Sequence, residues 1–237
     1  METSETRYAE QPATFTELAA LNEQRAGTYR LLASLFRQQV DDCFERQLRE
    51  VRWPARTGNE SADEGYRLIA CYLSRTPVGF TTELAQDFLR CFTGQGMNTF
   101  SAAYPFESVH TSEKRLLMQD ARDEVMAIMR SEGVEKHPDF SDSEDHVSVE
   151  LEFMAVLAQR TADALVAGEE QNAVRLLTCQ ANFLSDHLLN WAPRFTQDMR
   201  RFAKTDFYRG LSQVLEGFLE EDDAFLTASL IEENVAA

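Results

Sequence analysis

Val174-Arg175-Leu176-Leu177-Thr178-Cys179-Gln180-Ala181-Asn182-Phe183-Leu184-Ser185-Asp186-His187-Leu188-Leu189-Asn190-Trp191 carries the clearest periodicity in the chain. Val174, Leu177, Ala181, Leu184, Leu188 and Trp191 recur at steps of three and four, which lays one apolar stripe along a helix. On the C-terminal side, Pro193 is expected to bend or restart the chain. A last helix then places Phe207, Leu211, Val214 and Phe218 on one face, with Tyr208 and Leu215 alongside. It gives way to an acidic tail, Glu220 to Asp223 and then Glu232-Glu233.

The helical period repeats toward the N-terminus. A helix through Leu151, Met154 and Leu157 stops near Gly168, and Ser141 with Glu144 has the spacing of a capping box at its start. A polar loop over 132–142, with Pro138 inside it, separates that helix from one carrying Leu117, Ala121, Val125 and Ile128. Gly133 is the expected C-cap of the latter. Leu84, Phe88 and Phe92 form another stripe, with Thr81 or Thr82 as its N-cap, and Gly94-Gln95-Gly96 ends it. Tyr66, Ile69, Ala70 and Leu73 form a helix ending before Pro77 and Gly79, preceded by a break at Trp53-Pro54. In the first helix Leu18, Leu21, Thr28, Leu32 and Leu35 share a face, with Tyr29 and Phe36 beside them. Gly27 costs that helix ~1 kcal/mol against alanine and suggests a close crossing.

Glycine (10) and proline (6) are scarce in 237 residues, and 43% of the residues are hydrophobic. Long periods with few turn residues predict an all-α protein, a single bundle-like domain over 14–237 with a hinge loop near 132–142. Residues 1–13 read as a loose polar tail. A formal net charge of −17 excludes a nucleic-acid binder, whose affinity comes from clustered Lys and Arg; solubility alone accounts for it, and it permits a basic partner. Cys43, Cys71, Cys91 and Cys179 show no C-x-x-C spacing, so they predict neither a zinc site nor a redox pair. No secretory signal and no membrane span are legible, which predicts a cytoplasmic protein without membrane insertion.

The chemistry gathers in residues 104–154. Glu107-Ser108-Val109-His110 has the Glu-x-x-His spacing of di-iron carboxylate bundles, but those sites need a second copy, which the chain lacks. His146 and Glu150 stand four apart, which suits a metal or an acid–base pair as well as a hydrogen bond in a helix's first turn. No nucleophile accompanies them. Gly94-Gln95-Gly96 lacks the Gly-Lys-Ser/Thr of a phosphate loop. Asp145 suits a helix N-terminus and, beside an imidazole, offers acceptors to an arginine. Phe88, Phe92, Phe106 and Phe153 add aromatic weight there; Phe88 and Phe92 have the spacing of core residues, and if a groove exists the aromatics and acids together suit an amphipathic basic peptide.

Tyr104-Pro105-Phe106-Glu107-Ser108-Val109, then Asp145-His146 and Glu150-Leu151-Glu152-Phe153-Met154, resemble the TorD/DmsD family of redox-enzyme maturation chaperones. Residues 29–36, Asp87 to Gly94, the run from Phe183 to Pro193, and Phe207-Tyr208 extend the resemblance over nearly all of 15–226. Cys91 stands where leucine is usual, and His110 where an aromatic is common. The resemblance implies a non-enzymatic cytoplasmic chaperone without a cofactor of its own. Its partners would be the twin-arginine leader and body of a molybdopterin-containing oxidoreductase, together with the molybdenum cofactor biosynthesis machinery. It would hold the apoenzyme back from export until the cofactor is inserted. The implied leader-binding residues are Pro105, Phe106, Glu107, Ser108, Asp145 and His146, with Phe88, Cys91, Phe92 and Gly94. A monomer or a dimer swapped through 132–142 is implied. Burial of one large side chain contributes ~1.5–3 kcal/mol against ~0.2–1 for an exposed ion pair, so aromatics are expected to supply affinity and acids orientation. The loop that holds Phe106 and the helix N-terminus at Asp145, separated by the 132–142 hinge, are then the expected walls of a peptide groove. The rival readings are a metal or nucleotide enzyme built on His146 and Glu150, and an adaptor that binds only the mature client subunit.

Overall fold

In the computed structural model, which describes residues 14–75, 80–94 and 102–236, the chain folds as one helical domain. The helices are α1 (Phe15–Arg37), α2 (Asp42–Glu50), α3 (Glu60–Leu73), α4 (Phe80–Phe88), α5 (Glu107–Thr111), α6 (Asp120–Ser131), α7 (Val147–Ala167), α8 (Glu170–Phe183), α9 (Leu189–Phe202) and α10 (Asp206–Ala236). Two π-helical turns interrupt them. The first, Leu89–Thr93, extends α4, and the second, Leu184–Leu188, joins α8 to α9. The residues of the proposed N-terminal tail, together with Pro77, Gly79, Gln95 and Gly96, lie outside the described residues.

Helix α7 is the centre. Its buried residues run through Val147, Val149, Leu151, Phe153, Met154, Leu157 and Ala158 and cover most of its circumference, leaving a stripe of Glu152, Val156, Gln159 and Asp163 toward the surface. Helix α1 packs along one side of it and α8 along another. Helix α10 packs on α3, α9 and α8, so α3 lies at the outer edge. The stripe from Val174 to Trp191 continues through the second π turn, and Pro193 sits inside α9 without ending it.

Several local expectations are replaced by tertiary ones. In α1, Leu21 is exposed, and the inward face is Asn22, Arg25, Ala26, Tyr29, Leu32, Ala33 and Phe36. Two polar residues enter the core there because α10 supplies a partner. Arg25 Nη2 donates to Asp222 Oδ2 at 2.9 Å, its Nη1 to Asn22 Oδ1 at 2.6 Å, and the Tyr29 hydroxyl to Asp222 Oδ2 at 2.6 Å. Asp222 therefore belongs to a helix, and the acidic run from Glu220 is no tail. Gly27 has nothing within 4 Å of where a Cβ would stand and marks no crossing. The close crossing is α3 on α10, where a Cβ on Gly65 would lie 2.6 Å from the Gly210 carbonyl oxygen, and one on Gly210 2.6 Å from that of Gly65. Thr81 and Thr82 lie inside α4 rather than capping it.

The start of α7 also differs. Ser141 and Glu144 form no capping box. Arg122 of α6 takes the Glu144 carboxylate at 2.8 Å, and His146 is the N-cap, its Nδ1 accepting from the Ser148 N–H at 3.1 Å. Residues 141–146 are thereby free to run alongside 104–108. At the other end of the hinge loop α6 closes as expected. Gly133 is left-handed (φ 64°), its N–H donates to Arg130 O, and that of Val134 donates to Met129 O.

Candidate functional site

The segment 102–110 is held between two others, and all ten residues singled out from the sequence lie in these three pieces. On one side is 88–94. The Ala103 N–H donates to the Cys91 carbonyl at 2.7 Å. Gly94 is left-handed (φ 69°) at the end of the first π turn, and a Cβ there would stand 2.9 Å from the Tyr104 hydroxyl, so glycine suits both the backbone and the space. Phe88 and Phe92 point into the core, 5.0 Å apart in an edge-to-face pair, and Phe92 also meets Tyr208 at 5.6 Å. Burial raises the Cys91 thiol well above the usual range, which makes it an unreactive packing residue.

On the other side is 143–150. An antiparallel bridge joins Phe106 to His146. The Glu107 N–H donates to the Asp145 carbonyl, and that of Val147 to the Pro105 carbonyl, both at 2.9 Å. The Asp145 side chain completes this clamp. Its Oδ2 accepts from the Ser108 N–H at 3.0 Å, and its Oδ1 from the Ser143 hydroxyl. Asp145 and Ser108 have no exposed surface. The two expected walls are thus zipped together along their backbones. The reason is local: Phe106 is extended, and an extended backbone is satisfied by pairing.

The His146 ring packs edge-on against Phe106 at 5.0 Å and Phe140 at 5.4 Å. Burial, helped by the nearby charges of Arg37 and Lys136, lowers its pKa to about 3. The imidazole is neutral, so its Nδ1 is available as the cap acceptor and the proton sits on Nε2. Phe140 anchors the hinge loop under two cations, with the Arg37 guanidinium 5.1 Å and the Lys136 ammonium 5.8 Å from its ring centre.

His146 and Glu150 do not pair. Glu150 Oε2 accepts from the Trp191 indole N–H at 3.0 Å, and Glu107 Oε2 lies 2.9 Å from His187 Nδ1 on the second π turn. Burial, then the neighbouring Glu107 charge, raises the Glu150 carboxyl well above the usual carboxylate range, so it stays protonated. His110 turns away from Glu107, with its Nε2 2.8 Å from the Tyr104 carbonyl and its ring stacked on Trp191. The Glu-x-x-His residues therefore reach different partners. Among the described residues no group of three or more His, Cys, Asp and Glu is arranged to hold a metal ion. Sequence reading missed His187, Trp191 and Ser143 as parts of this network. The available signal was the polar His187 set beside the apolar stripe of Leu184, Leu188 and Trp191.

An open cleft of about 310 Å³ lies on the other side of the hinge loop, lined by Arg30, Met129, Val134, Lys136, Glu152 and Val156 among others. None of the ten residues lines it. No helix among the described residues is long and apolar enough to cross a membrane.

With this geometry in view, the comparisons fall into one group. Residues 59–197 match the model of the nitrate reductase delta subunit family, more than half of the chain and the whole of the three-segment site. The chain belongs to that family and to the TorD/DmsD chaperones within it, which are not catalysts. Among its relatives is the chaperone protein TorD of Aliivibrio salmonicida (strain LFI1238), 27% identical over 216 residues, spanning 89% of this chain and 98% of that protein. TorD of Photobacterium profundum is 28% identical over 217 residues, 89% and 97% of the two chains. TorD of Vibrio cholerae serotype O1 (strain ATCC 39315 / El Tor Inaba N16961) is 27% identical over 215 residues, 87% and 93%.

Proposed function

We propose that this protein is a cytoplasmic maturation chaperone for a molybdopterin-containing oxidoreductase. It binds the client's twin-arginine leader and its apo body, and delays export while the client's cofactor is inserted by the biosynthetic machinery. Membership of the chaperone family, with alignment along almost the full length of TorD relatives, carries this reading. The net charge of −17 suits a leader with paired arginines, because long-range attraction speeds encounter. The zipped segments 88–94, 102–110 and 143–150, which hold Pro105, Phe106, Glu107, Ser108, Asp145 and His146, give the leader site its rigid base. Phe106, half-buried, is the aromatic of that set nearest the surface.

Co-expression tests it. A leader-bearing apo-subunit of a molybdoenzyme from the same host should co-purify with the chaperone, and the same subunit without its leader should be retained at least about tenfold less, a difference of ~1.4 kcal/mol. Equal retention of both forms would favour the adaptor that recognises only the mature body. Retention of neither would remove the chaperone reading for those clients.

A further inference from the structure

Five residues beyond Thr111 the usual arrangement of apolar and polar side chains is reversed. Leu116, Leu117 and Met118 are consecutive and are 51%, 48% and 65% exposed. The other large exposed apolar residues, such as Val166 and Ile231, stand singly, which is ordinary for a protein surface. Three in a row form a patch, and the backbone holds them there. Arg115 (φ 51°) and Met118 (φ 56°) are both left-handed, a conformation that side chains other than glycine adopt only when their surroundings impose it.

Those surroundings are polar and specific. The Arg115 N–H donates to the Ser112 carbonyl at 3.2 Å, and the Leu116 N–H to the Ser112 hydroxyl at 3.3 Å. The Gln119 side-chain amide donates to the Leu117 carbonyl at 2.8 Å. The Gln119 N–H donates to Ser108 Oγ at 3.1 Å, and Ser108 is the residue whose own N–H goes to Asp145. The exposed crest is thus bonded directly to the clamp.

The charges around it are ordered along the chain. Glu113, Lys114 and Arg115 precede the crest with one net positive charge, and Asp120, Asp123 and Glu124, all exposed on the first turns of α6, follow it. Arg115 reaches Asp198 at 3.7 Å, and Arg122 pairs with Glu144 at 2.8 Å and with Asp123 at 3.4 Å, not with Asp120 or Glu124. An apolar surface with acids at one end complements a segment that has cations at one end of an apolar run. A twin-arginine leader has that composition.

We propose that Leu116, Leu117 and Met118, with Asp120 and Glu124 beside them, form the docking surface for the leader. The crest takes the leader's apolar segment and the acids take its two arginines. This rests on the leader-binding reading above and adds which exposed side chains make the contact, since Asp145 and Ser108 are fully covered.

The test uses the full-length protein and a panel of labelled synthetic twin-arginine leaders from the host's own molybdoenzymes. Changing Leu116, Leu117 and Met118 together to serine should weaken the best leader at least about tenfold, with the unfolding midpoint unchanged. Val166→Ser should bind as wild type does. Asp120→Asn with Glu124→Gln should weaken binding severalfold at low salt and flatten its salt dependence. A photo-crosslinking residue at position 117 should capture the leader, and one at 166 should not. If wild type binds a leader and the triple serine variant binds it equally, without crosslinking at 117, the docking surface is wrong and leader binding stands. If wild type binds no leader in the panel, both fall.

Discussion

The clamp and the crest are built from adjacent stretches of one chain and are opposites. In the clamp Glu107, Ser108, Asp145, His146 and Glu150 are polar and buried. In the crest Leu116, Leu117 and Met118 are apolar and exposed. Burial is tolerated in the first because the Asp145 oxygens, the Ser108 N–H and His146 Nδ1 all have partners. Exposure persists in the second because hydrogen bonds to Ser112 and Ser108 and from Gln119 hold the loop with its side chains outward. The pair shows a division of labour in which buried polar groups hold a backbone still so that apolar groups can face outward.

Removing the acceptor at the centre of the clamp should have the largest effect. Asp145→Ala leaves the Ser108 N–H and Ser143 hydroxyl buried without a partner and should lower stability by about 3 kcal/mol. The urea midpoint measures this. Asp142→Ala, exposed three residues earlier, should stay within about 0.5 kcal/mol of wild type. Equal losses would mean that Asp145 is not the strut of the clamp.

Acid and alkali should then stress the clamp through different residues. His146 takes a proton near 6.5 when unfolded but only at about 3 when folded. Its contribution is complete above pH 6.5 and is lost as pH falls from there toward 3. Glu150 ionises near 4.5 when unfolded but stays protonated well above that when folded, so stability falls as pH rises past 4.5. His146→Asn, which keeps a cap acceptor, should flatten the acid side of a melting-temperature profile. Glu150→Gln should flatten the alkaline side and leave the acid side alone.

The smallest expected effect joins the two regions. Ser108→Ala removes the acceptor of the Gln119 N–H and should cost about 1 kcal/mol. Its distinctive readout is hydrogen exchange. The Gln119 amide should exchange faster while amides in the middle of α7 do not. Uniform acceleration would mean that the crest is coupled to the whole fold rather than to Ser108.

Much of the architecture was legible because periodicity reports which face of a helix meets the core. In the stripe from Val174 to Trp191, Leu177, Leu184, Leu188 and Trp191 are buried as their spacing requires while Val174 and Ala181 are half-buried, and the face of Phe207, Leu211, Val214 and Phe218 is buried. The same reasoning misplaced the face of α1. Asn22 and Arg25 count as polar in any pattern, and only Asp222, almost two hundred residues away, makes them interior. Gly27 drew attention as a helix glycine, yet Gly65 and Gly210 form the crossing, since contact between two glycines depends on how α3 meets α10. For the site, the motif residues were legible as a set and three segments do bring them together. Their burial was not legible, because a carboxylate with two partners in reach looks the same in sequence as one waiting for a ligand.

The sequence by itself therefore determined the helical class, the order and faces of most helices, and the family resemblance that the alignments bear out. Those are properties of local spacing and of residue order. The tertiary structure alone decided that Asp145 braces a neighbouring loop, that Glu107 meets His187 and Glu150 meets Trp191, and that Leu116, Leu117 and Met118 stay outside. Those depend on which distant group arrives at hydrogen-bond distance, and no periodicity encodes it.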